Sequence, residues 1–192
     1  MKLESNGVHL NVTQSGAGAP ALVFLHYWGG SSRTWRRVIE ALAPEFRTVA
    51  IDQRGWGKSE APANGYALAD MADDAEAVIE ALDLECYILI GHSMGGKVSQ
   101  LIASRHPRGL RGLALVAPSP PSPLKLPLDV RQTMVSAYDS RDSIIATVEQ
   151  VLAPHGLNPE DLEASSQTAS PGPLRPKRHG LCLRARKTSP PR

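Results

Sequence analysis

Tyr87-Ile88-Leu89-Ile90-Gly91-His92-Ser93-Met94-Gly95-Gly96-Lys97-Val98 is the stretch on which the fold turns. Its opening apolar run reads as a strand buried on both faces, the habit of a parallel sheet. From about Met94 to Arg105 the spacing becomes helical. Between the two, Gly91-x-Ser93-x-Gly95 demands a sharp strand-to-helix turn that strains the serine backbone, and glycine at the flanking positions lets strand and helix approach closely. Such a turn stands the Ser93 hydroxyl above the sheet at the positive end of a helix, beside the free backbone N–H of Met94. Serine in that setting reads as a nucleophile. The plainer alternative is a tight turn with an ordinary surface serine.

The same residues nearly fit a phosphate-binding loop, Gly91-x-x-x-x-Gly96-Lys97, but Val98 stands where Ser or Thr would hold a magnesium ion. Gly55-Trp56-Gly57-Lys58-Ser59-Glu60 likewise fails the dinucleotide pattern, because Glu60 occupies the place of the third glycine.

Reading outward, residues 2–14 form two short strands around Asn6-Gly7, a strong hairpin signal. Ala21–Leu25 is another fully apolar strand. Ser31-Ser32 can cap a helix from about Arg33 to Leu42, with Trp35, Val38, Ile39 and Leu42 on one face. Arg47–Ile51 is the next strand, ending at Asp52, and Leu68–Leu82 an acidic amphipathic helix. Leu113–Val116 reads as a further buried strand. Strands and helices thus alternate after an opening hairpin, which means an α/β fold with a doubly wound, mostly parallel sheet.

The pattern changes after Ala117. Pro118-Ser119-Pro120-Pro121-Ser122-Pro123 can be neither helix nor central strand. Short helices are expected over Leu128–Tyr138, over Ser143–Leu152, and from Pro159, a favoured first helical residue, to about Ser166. The expected organisation is a core over residues 1–118, a partial helical cap over 119–167, and a basic, proline-rich disordered tail over 168–192.

The 192 residues suffice for one domain with a real core. The net charge of +2 conceals a split. Residues 171–192 hold seven of the 21 Lys and Arg and none of the 19 Asp and Glu, leaving −5 on residues 1–170 and +7 on the tail. The basic pI is therefore no nucleic-acid signal for the body. Cys86 and Cys182 form no CxxC or zinc pattern, which suits a reducing compartment. The N-terminus lacks a signal-like apolar run, and no apolar stretch approaches the ~20 residues of a membrane helix. The expectation is a cytoplasmic protein with a small-molecule substrate. No nucleic-acid or membrane partner, cofactor or metal is expected, and the oligomeric state is left open.

Two upstream segments sharpen the reading. After the first buried strand comes His26-Tyr27-Trp28-Gly29-Gly30, then Trp35. After the next comes Asp52-Gln53-Arg54-Gly55-Trp56-Gly57-Lys58-Ser59. In this order and spacing before Gly-His-Ser-Met-Gly-Gly, they resemble the α/β-hydrolase superfamily, and within it the small esterase and cofactor-free haloperoxidase-like branch, from about residue 3 to 155. The resemblance implies a second oxyanion donor at the backbone N–H of Trp28, paired with that of Met94. It implies a structural role for His26, a packing role for His92 beneath the elbow, and loop bracing by Asp52, Arg54 and Ser59. Tyr27 departs from the glycine often found after this histidine.

The resemblance also implies an acid and then a histidine after Ser93, each following a strand. Neither can be assigned. His106 precedes a proline at the end of the elbow helix, His155 lies in a Pro-Gly turn, and His179 lies in the tail. Asp129, Asp139 and Asp142 fall in cap-like helical text, and Pro118-Ser119-Pro120 stands where an acid is sometimes found. A truncation or frameshift near residues 164–170, removing the last strands, is the expectation that follows. It would leave Leu113–Val116 as an apolar sheet edge prone to aggregate. The leading function is a serine hydrolase acting on a small ester or related acyl compound. An aspartate-nucleophile dehalogenase or epoxide hydrolase is disfavoured by serine at position 93. The alternative is an inactive remnant or a non-catalytic interaction protein. Reading the coding DNA past Ser165 in the other two frames should reveal a strand followed by Asp and later a Gly-His pair. If neither frame contains them, the frameshift is excluded.

Overall fold

The protein's computed structural model describes residues 1–138 and 140–168. Asp139 and the basic tail from Ala169 onward, with His179 and Cys182, lie outside the described residues, so the expected disordered tail is not addressed by the structure.

The hairpin forms as its turn chemistry dictates. Strands β1 (Lys2–Ser5) and β2 (Val8–Ser15) pair antiparallel with Ser5 opposite Val8. The two residues between them, Asn6 and Gly7, both have positive φ (48° and 73°), as a two-residue turn of this hand requires. Strands β3 (Ala21–Leu25), β4 (Thr48–Ile51), β5 (Tyr87–His92) and β6 (Leu110–Val116) complete a six-stranded sheet in the order β1-β2-β4-β3-β5-β6. β2 meets β4 antiparallel, and every later pairing is parallel.

Period-two alternation along the strands feeds two cores, one on each face. On one face Val23, Leu25, Val49, Ile51, Tyr87 and Leu89 pack against α2 (Leu68–Ala81) and α3 (Met94–Ser104), which contribute Met71, Ala75, Val78, Val98 and Ile102. On the other face Leu22, Phe24, Ala50, Ile88 and Ile90 pack against Trp35, Ile39, Leu42 and Phe46. The sheet is therefore doubly wound, as the alternation of elements implied.

Several details differ from the sequence reading. The helix expected from Arg33 begins as a 3₁₀ turn (Ser32–Trp35), capped by the Ser31 hydroxyl on the Arg33 N–H, before α1 (Arg36–Leu42). Within α1, Val38 lies about 100° round the helix from Ile39. Trp35, Ile39 and Leu42 face the sheet, and Val38, expected beside them, is exposed. The strand expected as buried over Leu113–Val116 starts earlier, at Leu110, and is not buried. Leu113, Leu115 and Val116 are 37–45% exposed, because among the described residues β6 is paired on one side only.

Beyond β6 the chain runs as irregular proline-rich text into α4 (Leu128–Ser136), α5 (Arg141–Thr147, capped by Ser140) and α6 (Pro159–Thr168). The helix expected to begin at Ser143 starts two residues earlier, at Arg141, and the turn that follows it, Val148–Leu152, widens to a π turn. Ile144 and Val148 form a small third core with Tyr138, Ala153 and Leu162. Asn158 caps α6 by accepting the Asp161 N–H, with Pro159 at the first helical position as expected. Ion pairs from Arg36 and Arg37 to Glu160 and Asp161, at 3.0–3.2 Å, tie α6 to α1. Among the described residues no helix is long and apolar enough to cross a membrane.

The β6 edge generates a prediction. Leu115→Lys should lower concentration-dependent light scattering while leaving the melting temperature within a few degrees of the parent, since the side chain is 39% exposed. Unchanged scattering would show that association does not proceed through this edge.

Candidate active site

The parallel registers align the C-terminal ends of the strands. Leu25 of β3 lies opposite both Ile51 of β4 and Gly91 of β5, and His92 lies opposite Val116 of β6. The loops His26–Gly30, Asp52–Ser59 and Ser93–Met94, and the segment from Ala117, therefore all leave the same edge of the sheet. In open α/β sheets this is the edge at which ligands bind.

Ser93 joins β5 to α3 with φ 51° and ψ −111°, outside the regions open to an ordinary side chain. Its hydroxyl makes no capping hydrogen bond to the helix. The backbone is held from several directions. The Ser93 N–H donates to the Val116 carbonyl at 3.1 Å, and the Ser93 carbonyl accepts from Lys97 at 3.1 Å and Ser119 at 3.0 Å. The flanking glycines are required by close approach. A Cβ at Gly91 would lie 2.5 Å from both the Gly95 carbonyl and the Ser99 hydroxyl, and one at Gly95 would strike the Leu25 and His26 carbonyls. Lys97, the lysine of the phosphate-loop near-match, instead donates to the Ser122 carbonyl at 2.8 Å, and Val98 is fully buried. Those contacts belong to a packed helix, not a phosphate cradle.

His26 is a structural residue. It is fully buried, with Nδ1 donating to the Tyr27 carbonyl at 2.7 Å and Nε2 accepting the Gln53 N–H at 3.0 Å. Burial pushes its pKa down to about 4, against the opposing pull of the Tyr27 carbonyl and the Asp52 charge. The Gln53 side-chain amide donates to the His26 carbonyl at 2.8 Å, so the loops after β3 and β4 are stitched together.

Asp52 braces three elements at once. Its carboxylate accepts the Ser32 N–H at 2.5 Å, the Lys58 N–H at 2.9 Å and the Asn11 amide at 2.9 Å. Ser59 donates to the Asp52 carbonyl at 2.5 Å and accepts the Asn11 N–H at 2.8 Å. Arg54 forms a buried bidentate pair with Asp74 at 2.6 and 2.7 Å and donates to the Gly65 carbonyl at 2.7 Å. The Asp74 hydrogen bonds raise the Arg54 pKa and outweigh burial. Bracing is thus the observed role of all three residues.

Trp28 sits in the turn after His26, with its ring centroid 5.1 Å from that of Trp56. Among the described residues neither the Trp28 nor the Met94 backbone N–H donates to a backbone carbonyl. The Tyr27 ring, where glycine was the family expectation, tilts against His92 at 5.2 Å, and Trp35 stands edge-on to His92 at 6.3 Å. Burial lowers the His92 pKa and raises that of Tyr27.

No acid or base partner emerges among the described residues. Both ring nitrogens of His26 are committed to backbone groups, and His92 packs between the rings of Tyr27 and Trp35. His9 is exposed and pairs with Glu60 at 3.2 Å. His106, exposed with φ 52°, lies past the far end of α3, about 16 Å of helix from Ser93. His155 is exposed in the turn after the π segment. Asp129 and Asp142 are exposed in the first turns of α4 and α5, where they complement the helix dipoles. Pro118-Ser119-Pro120 offers no carboxylate, but it packs on the elbow through the Ser119 N–H. Tyr138 and Ser119 contact the site with no sequence motif to announce either.

The chain matches the alpha/beta hydrolase fold family over residues 20–158. It is 32% identical over 152 residues to 2-(acetamidomethylene)succinate hydrolase of Mesorhizobium japonicum, covering 79% of this chain and 54% of that protein. It is 32% identical over 155 residues to a soluble epoxide hydrolase of a Corynebacterium species, covering 81% and 50%. Among solved structures, an esterase from Exiguobacterium antarcticum superimposes with a TM-score of 0.76 at 27% identity, covering 88% of this chain and 68% of that one. The chain spans about half the length of these two curated relatives.

Burial of neutral His26 sets a pH dependence. Its folded pKa lies below that of the unfolded chain, so the unfolded state binds more protons and stability falls as pH drops. Urea unfolding should show full stability above about pH 6.5 and a loss of up to about 1.4 kcal/mol per pH unit toward pH 4. His26→Asn should flatten that slope. An equal slope in the variant would assign the titration to another group.

Proposed function

The chain belongs to the alpha/beta hydrolase family, and from that premise we propose that it carries the nucleophilic half of a serine hydrolase acting on a small ester or related acyl compound. Ser93 is the nucleophile, and the backbone N–H groups of Trp28 and Met94 form the oxyanion hole. The observation that carries this reading is the positive-φ serine between β5 and α3. A strained backbone of this kind costs about 1–3 kcal/mol and persists where the surroundings over-determine it.

The chemistry follows from the residue type. Attack of the Ser93 oxygen on a carbonyl carbon places negative charge on the carbonyl oxygen, which two preorganised N–H donors can stabilise. Collapse breaks the bond to the leaving oxygen, which takes up the equivalent of the proton lost from the Ser93 hydroxyl and departs as the alcohol, leaving an acyl ester that water can hydrolyse. Attack of the same oxygen on an epoxide carbon would leave an ether that water does not cleave. Serine at position 93 therefore favours acyl substrates over epoxides, although an epoxide hydrolase is among the relatives. The rings of Tyr27, Trp28, Trp56 and Tyr138 near this edge suit a small, partly apolar acyl group.

A second reading, a non-catalytic scaffold, is favoured by one observation. The five described histidines are each engaged or placed elsewhere, so among the described residues the Ser93 proton has no identified acceptor. A fluorophosphonate probe separates the two. Labelling that Ser93→Ala abolishes, with turnover of a p-nitrophenyl ester falling by about a thousandfold or more in the same variant, supports the hydrolase. Absent labelling, or labelling equal in both proteins, supports the scaffold.

A further inference from the structure

Tyr138 follows α4, yet its hydroxyl donates to the Trp28 carbonyl at 2.8 Å. Its ring lies directly on Gly29, where a Cβ would collide with the ring carbons and the hydroxyl. The ring also stands edge-on to Trp56 at 6.0 Å, and Trp56 in turn stands edge-on to Trp28. Burial raises the Tyr138 pKa, so the hydroxyl stays protonated and remains a donor.

The turn it touches has a defined type. Gly30 donates its N–H to the Tyr27 carbonyl at 3.0 Å, closing a four-residue turn over 27–30. Gly29 has φ 85°, and Trp28 is not among the positive-φ residues. Positive φ at the third position only is the mark of a type II turn. Types I and II differ chiefly by a half-rotation of the central peptide, here the one joining Trp28 to Gly29. The carbonyl of that peptide is the group Tyr138 holds.

We propose that Tyr138 is a positioning residue that locks the Trp28–Gly29 peptide in its type II orientation, and so docks the helical segment after β6 onto the loop that carries the Trp28 N–H. The consequence for catalysis rests on Trp28 being an oxyanion donor, as proposed above. Oxyanion donors act through preorganisation. A turn that interconverts holds the adjoining Trp28 N–H less firmly. The lock has a rigid base, because Tyr138 packs against the Ile144–Val148 core and α6 is tied to α1 through Arg36 and Arg37.

Tyr138→Phe keeps the ring on Gly29 and Trp56 and removes only the hydroxyl. Amide hydrogen exchange at Gly30 should accelerate by about 2- to 10-fold, the loss expected for one net hydrogen bond. Amides of β3 and β5 should keep their protection, which controls for folding. In fluorophosphonate labelling of Ser93, the maximal rate constant should fall by about 2- to 10-fold with the half-saturating concentration unchanged. Unchanged Gly30 exchange overturns the lock, and so does an effect confined to half-saturation, which would make Tyr138 a binding contact. If the parent protein is not labelled at all, the Ser93 reading fails, and Gly30 exchange still decides the lock.

Discussion

A serine with φ 51° between a buried strand and a helix is the constraint around which this chain is arranged. Such a backbone survives only when its neighbours leave no alternative. Here β6 supplies an acceptor for the Ser93 N–H, and α3 and Ser119 supply donors to its carbonyl. Glycine at 91, 95 and 96 lets β5, α3, the end of β3 and Pro118 come within distances that any side chain would prevent. The elbow is thus held by every element that meets it.

The remaining loops at that edge are braced by buried polar networks. Burial of a charged or polar group without a partner is costly, and the charged side chains there are paired. His26 satisfies two backbone groups while remaining neutral, Asp52 gathers donors from β2, the Lys58 turn and the 3₁₀ turn, and Arg54 pairs with Asp74. These residues resemble catalytic groups by type, yet their partners account for them fully. At the elbow itself, among the described residues, the Ser93 hydroxyl makes no capping bond to α3, and the backbone N–H groups of Trp28 and Met94 donate to no backbone carbonyl.

Much of this was legible in the sequence because it rests on local signals. Asn6-Gly7 specified the hairpin turn, the apolar runs specified parallel strands, and the glycine spacing specified the elbow. What sequence could not supply came from longer range. Val38 has the right spacing for a buried face, but it lies at the margin of the stripe that Ile39 and Leu42 press on the sheet, and it stays exposed. Leu113–Val116 has the composition of a buried strand, and its exposure depends on what pairs with it. Tyr138 reaches Trp28 across 110 residues, and no local pattern encodes such a contact.

The proposed pairing of Ser93 with the Trp28 and Met94 N–H groups rests on one geometry. A crystal structure of the protein after reaction with a fluorophosphonate tests it most directly. The expected result is phosphorus bonded to Ser93 Oγ, with the phosphoryl oxygen about 2.7–3.1 Å from the backbone nitrogens of both Trp28 and Met94. A phosphoryl oxygen turned away from both nitrogens, or an adduct on a different residue, would contradict it.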